Sequence, residues 1–324
     1  MSPTNIFAPA STPADSIFSL SMFVILACAV IFIVVSALLG YAVVRFRNKH
    51  SDDRTEPAQI YGSTQVELAW TVIPILIVIA LALASARVIA SVQDARRPPN
   101  ALEVIVTGHE YWWEYRYPAL NIVTANELHV PVSDPAHPTP TFLTLLSANT
   151  DHSFWVPRLA GKTDLIPNHP NSMWIDPHEP GLFLGQCAQY CGTQHAKMLL
   201  RVYVQPREEF NRWVEEQQKV PHGSTAEAVS SNAVSSTGQR VFESTACVNC
   251  HTVSGTPAKG RFGPDLTHLM SRDTIASGAA RNTPELLRLW IKNPDAIKPG
   301  SKMPAMGLSE PDLDAVTAYL ETLR

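Results

Sequence analysis

The chain of 324 residues carries a formal net charge of −4, from 25 basic and 29 acidic side chains of mixed sign. The absence of a basic patch excludes nucleic acid as a partner, and five cysteines in a chain of this length exclude a disulfide scaffold. A mean hydropathy near zero averages two unlike regimes, apolar before Arg87 and polar and proline-rich beyond residue 100.

Neither Ser16 to Val44 nor Leu68 to Ala86 contains a charged residue. Each run can cross roughly 30 Å of hydrocarbon as a helix, so two membrane-spanning helices are predicted, over about 17–44 and 67–90. The preceding MSPTNIFAPASTPADS has no basic residue and no early cleavage pattern, which favours an uncleaved anchor over a secretory signal. The connecting loop RFRNKHSDDRTEP holds Arg45, Arg47, Lys49 and Arg54, so it is expected inside, with both termini outside. Arg87, Arg96 and Arg97 after the second run dilute that asymmetry. Cys28, alone in the first run, reads as a small buried hydrophobe.

LEVIVTG (102–108), ELHVPV (127–132), TFLTLLSA (141–148) and LLRVYV (199–204) alternate or are rich in β-branched residues between Pro and Asn turns. They predict an antiparallel sandwich or barrel over about residues 100–205. PREEFNRWVEEQQK (206–219) has helix-forming composition, with Phe210, Trp213 and Val214 on one side, and is expected to cap this domain. VPHGSTAEAVSSNAVSSTG (220–238) has the composition of a flexible tether. Beyond it, TGQRVFEST, TPELLRLWIKN and EPDLDAVTAYLETL read as helices of an all-α domain. The expected divisions are 1–98 for the N-terminal segment and hairpin, 99–219 for the β domain with its helix, 220–237 for the linker and 238–324 for the helical domain.

Cys187, Cys191, His195 and Met198 fall within the single stretch GQCAQYCGTQHAKM. Thiolates, an imidazole and a thioether are the ligand types of copper electron-transfer sites. A mononuclear site needs one thiolate, whereas two thiolates spaced Cys-x-x-x-Cys can bridge two metals, which then require a second imidazole. His152 in NTDHSFWVP is the candidate, with His109, His169 and His178 as competitors.

CVNCH is the attachment signature of c-type haem: Cys247 and Cys250 can form thioethers to the two vinyl groups while His251 reaches the iron. A thioredoxin-like pair wants a βαβ context and a zinc site wants a second ligand pair; neither is present. GSKMPAMG offers Met303 and Met306 as the second axial ligand, a thioether that raises the reduction potential, and His268 is a competing imidazole. The segment resembles class I cytochrome c domains through Gly238 and Phe242 before the haem motif, Gly263 and Pro264 after it, and the pair Met303-Pro304. That resemblance favours Met303 as the ligand.

His-Ser-Phe-Trp-Val-Pro followed by Cys, Cys, His and Met at this spacing is the binuclear copper A motif, and the chain from the hairpin through residue 204 resembles subunit II of haem-copper cytochrome c oxidases. With the haem domain behind it, the chain resembles subunit II of a caa-type oxidase over nearly its whole length. The resemblance implies a multidomain membrane protein: a two-helix hairpin, an all-β cupredoxin-like Greek-key barrel and an all-α class I cytochrome c domain. It implies Cys187 and Cys191 as bridging thiolates, His152 and His195 as terminal ligands, and Met198 and the carbonyl of Gln189 as weak ligands. Most members have Glu at that last position, where its side chain also binds magnesium beside subunit I. A carbonyl ligand survives the change to Gln189, but a neutral amide is a much poorer ligand for a hard cation. In GHEYWWEYRYP the family's electron-accepting Trp falls on Tyr111, with Trp112 and Trp113 following. Glu67, in E-x-x-W-T-x-x-P, matches a glutamate at the entrance of a proton-uptake path.

The implied function is electron transfer in a terminal oxidase. Electrons pass from an external donor, a cytochrome c or a quinol-cytochrome c reductase type complex, to haem c, then to copper A and on to subunit I. There dioxygen is reduced to water with proton translocation. Two membrane helices without an intramembrane His set cannot hold that catalytic centre, so the chain is an electron-transfer subunit of an oxidoreductase and translocase. Its expected place is the bacterial cytoplasmic membrane, among lipid, with both soluble domains outside. A copper chaperone would need neither His195 and Met198 nor a haem, and a quinol oxidase subunit II would lack Cys187 and Cys191. A copper A nitric oxide reductase subunit is distinguished only by its neighbouring subunit.

Overall fold

A computed structural model describes residues 4–47, 59, 61–93, 97, 101–134, 136, 138–221 and 233–324. The centre of the expected tether, 222–232, and Lys49, Arg54 and Arg96 of the charge asymmetry lie outside the described residues. The chain divides into two units, Ser16–Ala95 and a second made of residues 1–15 with 96–324.

The first unit is helical, built from α1 (Thr12–Arg45) and α2 (Thr64–Gln93). With 34 and 30 residues they extend about 50 and 45 Å, longer than the uncharged runs because flanking polar residues continue each helix. Leu26, Phe32, Ile33 and Leu38 on α1 and Leu68, Leu76, Val78 and Leu83 on α2 are all exposed. Apolar surface all round a helix of this length fits lipid rather than water. Pro74 lies inside α2; lacking an N–H, it leaves the carbonyl of Trp70 without its helical donor. Glu67 occupies the first turn of α2, where a carboxylate meets the positive end of the helix dipole.

The N-terminal segment packs on the β domain. Ala10 is 4% exposed and joins the core of the β domain. Its N–H donates to the carbonyl of Arg158 (2.9 Å), Ser11 bridges to Pro177, and the hydroxyl of Thr12 donates to Asp176 (2.6 Å). Burial of these small residues ties the segment to the strands and not to the hairpin alone.

The β domain contains β1 (Leu102–His109), β2 (Trp112–Tyr117), β3 (Ile122–Ala125), β4 (Glu127–Pro131), β5 (Thr141–Ser147), β6 (His152–Trp155), β7 (Thr163–Leu165), β8 (Asn171–Ile175), β9 (Gly181–Cys187) and β10 (Leu199–Gln205). They form two five-stranded sheets, ordered β3-β2-β1-β5-β8 and β4-β10-β9-β6-β7. Alternation predicted antiparallel pairing, yet β1 with β5 and β4 with β10 run parallel. Parallel neighbours need a crossover connection, and here each crossover runs through strands of both sheets. This makes a cupredoxin-like sandwich. Trp113, Tyr115 and Tyr117 of β2 point inward between Glu114 and Arg116 and share a core with Val104, Leu143, Phe183 and Val202. The helix α3 (Arg207–Gln217) buries Phe210 and Trp213 against this sandwich.

The C-terminal domain is built from α4 (Ala233–Ser244), α5 (Cys247–Cys250), α6 (Pro284–Lys292), α7 (Pro294–Ile297) and α8 (Glu310–Leu320), with a two-residue ladder of β11 (Thr274–Ile275) and β12 (Ala280–Arg281) that the all-α expectation omitted. The helix α4 starts inside the stretch expected to be linker. Its Phe242 packs on Tyr319 of α8, ring centroids 5.7 Å apart, amid Leu287, Ile291, Leu313 and Val316. The two helices meet at Gly238, where a Cβ would stand 1.9 Å from the carbonyl oxygen of Ala315. Thr283 and Ser309 cap α6 and α8 by accepting from Leu286 and Asp312 N–H.

Candidate metal centres

Cys187 ends β9, Cys191 lies four residues on, and His195 opens a short 3-10 turn that closes with Met198. The backbone ties this loop back on itself, Cys187 N–H donating to Met198 C=O (2.9 Å) and His195 N–H to Gly192 C=O (3.1 Å). The two Sγ atoms consequently stand 3.9 Å apart. His152 Nδ1 lies 3.9 Å from the sulfur of Cys187, and the carbonyl of Gln189 lies 3.2 Å from the same atom. On the other side, Cys191 Sγ is 3.7 Å from His195 Nδ1 and 4.0 Å from Met198 Sδ. Ligand atoms of His152, Cys187 and Cys191 lie within 4.8 Å of one another.

Two thiols flanked by one imidazole each, a thioether and a carbonyl form a soft to borderline donor set, which fits copper and not a hard cation. The hydrogen bond shared by the two thiols lowers the pKa of Cys187 and raises that of Cys191. His152 is fully buried, and its Nε2 lies 3.2 Å from Asn149 Oδ1. Donation to that oxygen leaves Nδ1 free to accept or ligate. Of the competing histidines, His109 stacks on Trp112 at 4.1 Å, His178 contacts Thr12, and His169 is exposed. None of the three joins the cluster.

The haem motif sits on the single turn α5, with both thiols half-buried. His251 Nδ1 donates to the carbonyl of Pro264 (2.7 Å), which fixes the tautomer and leaves Nε2 as a ligand. Burial lowers the pKa of His251, favouring the neutral ring that iron requires. Gly260 and Gly263 let the following loop close over this turn: Cβ atoms there would approach Asn249 at 2.4 Å and His251 Cε1 at 2.5 Å. Arg272 is buried, its guanidinium donates to the carbonyl of Asp265, and its charge faces the carboxylates of Asp265 and Glu127. Two thiols one turn apart, followed by an imidazole whose Nε2 is free to ligate, match the donor set that a covalently held haem needs. The residues present therefore fit a haem. Met303 and Met306 are both half-buried on the segment after α7. His268 is 5% exposed, and among the described residues its Nε2 has no hydrogen-bond partner.

Tyr111, Trp112 and Trp113 are 8%, 7% and 0% exposed. Trp113 packs edge-on to His152 (6.0 Å) and Phe154 (5.9 Å), so it supports the cluster as core. The hydroxyl of Tyr111 accepts from Thr193 N–H at 3.2 Å. Glu67 is exposed on α2, and its carboxylate lies close to Gly62.

Sequence reasoning missed the contact between the β and helical domains. Glu127, 2% exposed, accepts from the N–H of Asp273 (3.0 Å) and from the N–H and hydroxyl of Thr274 (2.9 and 2.6 Å). Burial raises its pKa and these donors oppose the rise. Tyr203 donates to Asp273 at 2.6 Å. The expected tethered domain is thus packed onto the sandwich.

Three family models match the chain: "Cytochrome C oxidase subunit II, transmembrane domain" over residues 3–88, "Cytochrome C oxidase subunit II, periplasmic domain" over 102–204, and "Cytochrome c" over 235–324. Cytochrome c oxidase subunit 2 of Alkalihalophilus pseudofirmus OF4 is 34% identical, covering 98% of this chain and 90% of that protein. The subunit of the same name from Bacillus subtilis 168 is 32% identical at the same two coverages. A crystal structure of the periplasmic domain of cytochrome oxidase subunit II from Bradyrhizobium japonicum is 28% identical, covering 38% of this chain and 97% of that one, at a TM-score of 0.35. The periplasmic-domain family implies copper A and the cytochrome c family implies haem. The chain belongs to the cytochrome c oxidase subunit II family, whose members are subunits of an oxidoreductase complex, and it carries a cytochrome c domain at its C-terminal end.

Proposed function

We propose that this chain is the electron-accepting subunit II of a haem-copper oxidase that takes electrons at a covalent haem c, passes them through copper A to subunit I, and so supports reduction of dioxygen to water with proton translocation. The observation that carries the reading is the pairing of Cys187 and Cys191 at 3.9 Å, each with its own imidazole. When bound, two coppers sharing both thiolates would spread one electron over the pair and so need little reorganisation. His152 and His195 would be the terminal ligands, with Met198 and the carbonyl of Gln189 weak ones. The protein's part is to hold these donors in place and dry: Cys187, Cys191 and Met198 are at most 5% exposed.

Cys247 and Cys250 would carry the haem, with His251 and Met303 as axial ligands. Glu67 would stand at the entrance of a proton path, and Tyr111, Trp112 and Trp113 beside the copper as the electron-accepting aromatics. Both soluble domains would face the outer side of the bacterial cytoplasmic membrane, where an external donor is met. Domain limits of 99–219 and 238–324, separated by a linker, are part of this proposal. The test is spectroscopic: the purified complex should show a mixed-valence two-copper electron paramagnetic resonance (EPR) signal and a c-type haem band. Cys187→Ser should abolish the first and keep the second. A mononuclear copper signal in the unsubstituted protein would refute the assignment.

A further inference from the structure

Gln194 precedes the candidate ligand His195 and is 3% exposed. Its side-chain amide crosses to the helical domain and donates to the carbonyls of Lys298 (2.8 Å) and Pro299 (3.0 Å). Lys298, itself 2% exposed, sends its ammonium in the opposite direction to the main-chain carbonyl of Tyr111 at 2.7 Å. Since the hydroxyl of Tyr111 accepts from Thr193 N–H, the contacts close a ring running from the copper loop to the helical domain and back. At the rim, Lys197 donates to the carbonyl of Ile297 (3.1 Å) and Lys302 pairs with Glu110 (2.8 Å). Gly300 lies so near that a Cβ there would stand 2.9 Å from Thr193 Cγ2.

A lysine ammonium is almost never fully buried, because leaving water is costly unless the charge is compensated. A loose contact between tethered domains would leave Lys298 in solvent, as lysines in such places usually are. Here it is enclosed at the point where the segment leading to Met303 crosses the loop leading to His195. We propose that Lys298 and Gln194 are positioning residues that clamp the stretch Ile297–Lys302 onto the copper loop, holding the haem domain and the copper site in one standing pose. The proposal rests on the electron-transfer reading above. It implies that transfer between the two centres needs no docking step, and that the backbone of Tyr111 is covered by this chain's own domain, so an external donor delivers electrons to the haem domain instead.

The test uses the full chain in its assembled complex, with Lys298→Met and Gln194→Leu made separately. Two readouts are hydrogen exchange at the Thr193 amide and the 297–303 segment, and the rate of haem-to-copper transfer after photoreduction of the haem. In the unsubstituted protein the rate should not depend on solvent viscosity. In each variant the protection should drop, and transfer should slow by about tenfold or more and become viscosity-dependent, with both metal spectra unchanged. Unchanged exchange in both variants, or a viscosity-dependent rate before substitution, overturns the clamp. Absence of the two-copper signal from the unsubstituted protein would sink the copper reading instead, and the exchange comparison would still decide the clamp.

Discussion

Gly263 lies flush against the imidazole of His251, close enough that a methyl group on it would stand 2.5 Å from Cε1 and 2.9 Å from Nδ1. The ring is also held by its bond to Pro264, one residue further on. Gly263→Ala must therefore turn the ring or push the loop away. On the proposed haem assignment, the group should remain attached through Cys247 and Cys250 but with a perturbed axial bond, and the domain should lose roughly 1–3 kcal/mol of stability. Visible absorption during thermal unfolding checks both; an unchanged spectrum and midpoint would show that the loop yields freely.

On the copper side, Gly108 has the same relation to His152, where a Cβ would meet Cδ2 at 2.8 Å. No donor is removed by Gly108→Ala, yet His152 must shift against Cys187, whose sulfur now lies 3.9 Å from Nδ1. On the proposed copper A assignment, the expected result is a protein that still binds two coppers but shows altered hyperfine structure. Metal analysis alongside EPR separates this from simple loss of the site.

The candidate ligands were legible because the chemistry is local: Cys187, Cys191, His195 and Met198 share one loop, and the haem motif is a single turn. The four strands with clear alternation were legible for a similar reason, the period of two that a half-buried sheet imposes. The strand β2 was read only as an aromatic contact, since rings on both faces hide its alternation. Glu127 opens ELHVPV and looks like a solvated flank, but it is buried by Thr274, 147 residues away. Lys298 in KPGSK looks like any surface lysine. Asn149, Gly108 and Arg272 likewise gain meaning only from what the fold sets beside them, and no local pattern marks such pairings.

Gln189 offers a test of main chain against side chain. Its carbonyl is 3.2 Å from the sulfur of Cys187, while the residue as a whole is exposed. Gln189→Ala keeps the carbonyl and should leave the two-copper EPR signal as it was, whereas loss of the signal would show that the amide side chain ligates or orders the loop.

His129 sets an acid limit on the β domain. Its ring is stacked between Tyr203 (4.9 Å) and Trp213 (4.5 Å) and bonds Gln205 through Nδ1 at 3.0 Å. Burial lowers its pKa from 6.5 to about 4, against the opposing bond to Gln205. The folded protein therefore holds this ring neutral between about pH 4 and 6.5, where the unfolded chain binds a proton. Stability from this group is fully present above 6.5 and declines as the pH falls toward 4. His129→Phe keeps the stacked ring and removes the titrating group, so its urea midpoint should fall less than that of the unsubstituted protein between pH 7 and pH 4, followed by tryptophan fluorescence in detergent. Parallel midpoints across that window would mean that protonation of His129 does not drive the acid loss, and that the decline belongs to other buried groups such as His109, which burial also lowers to about 4.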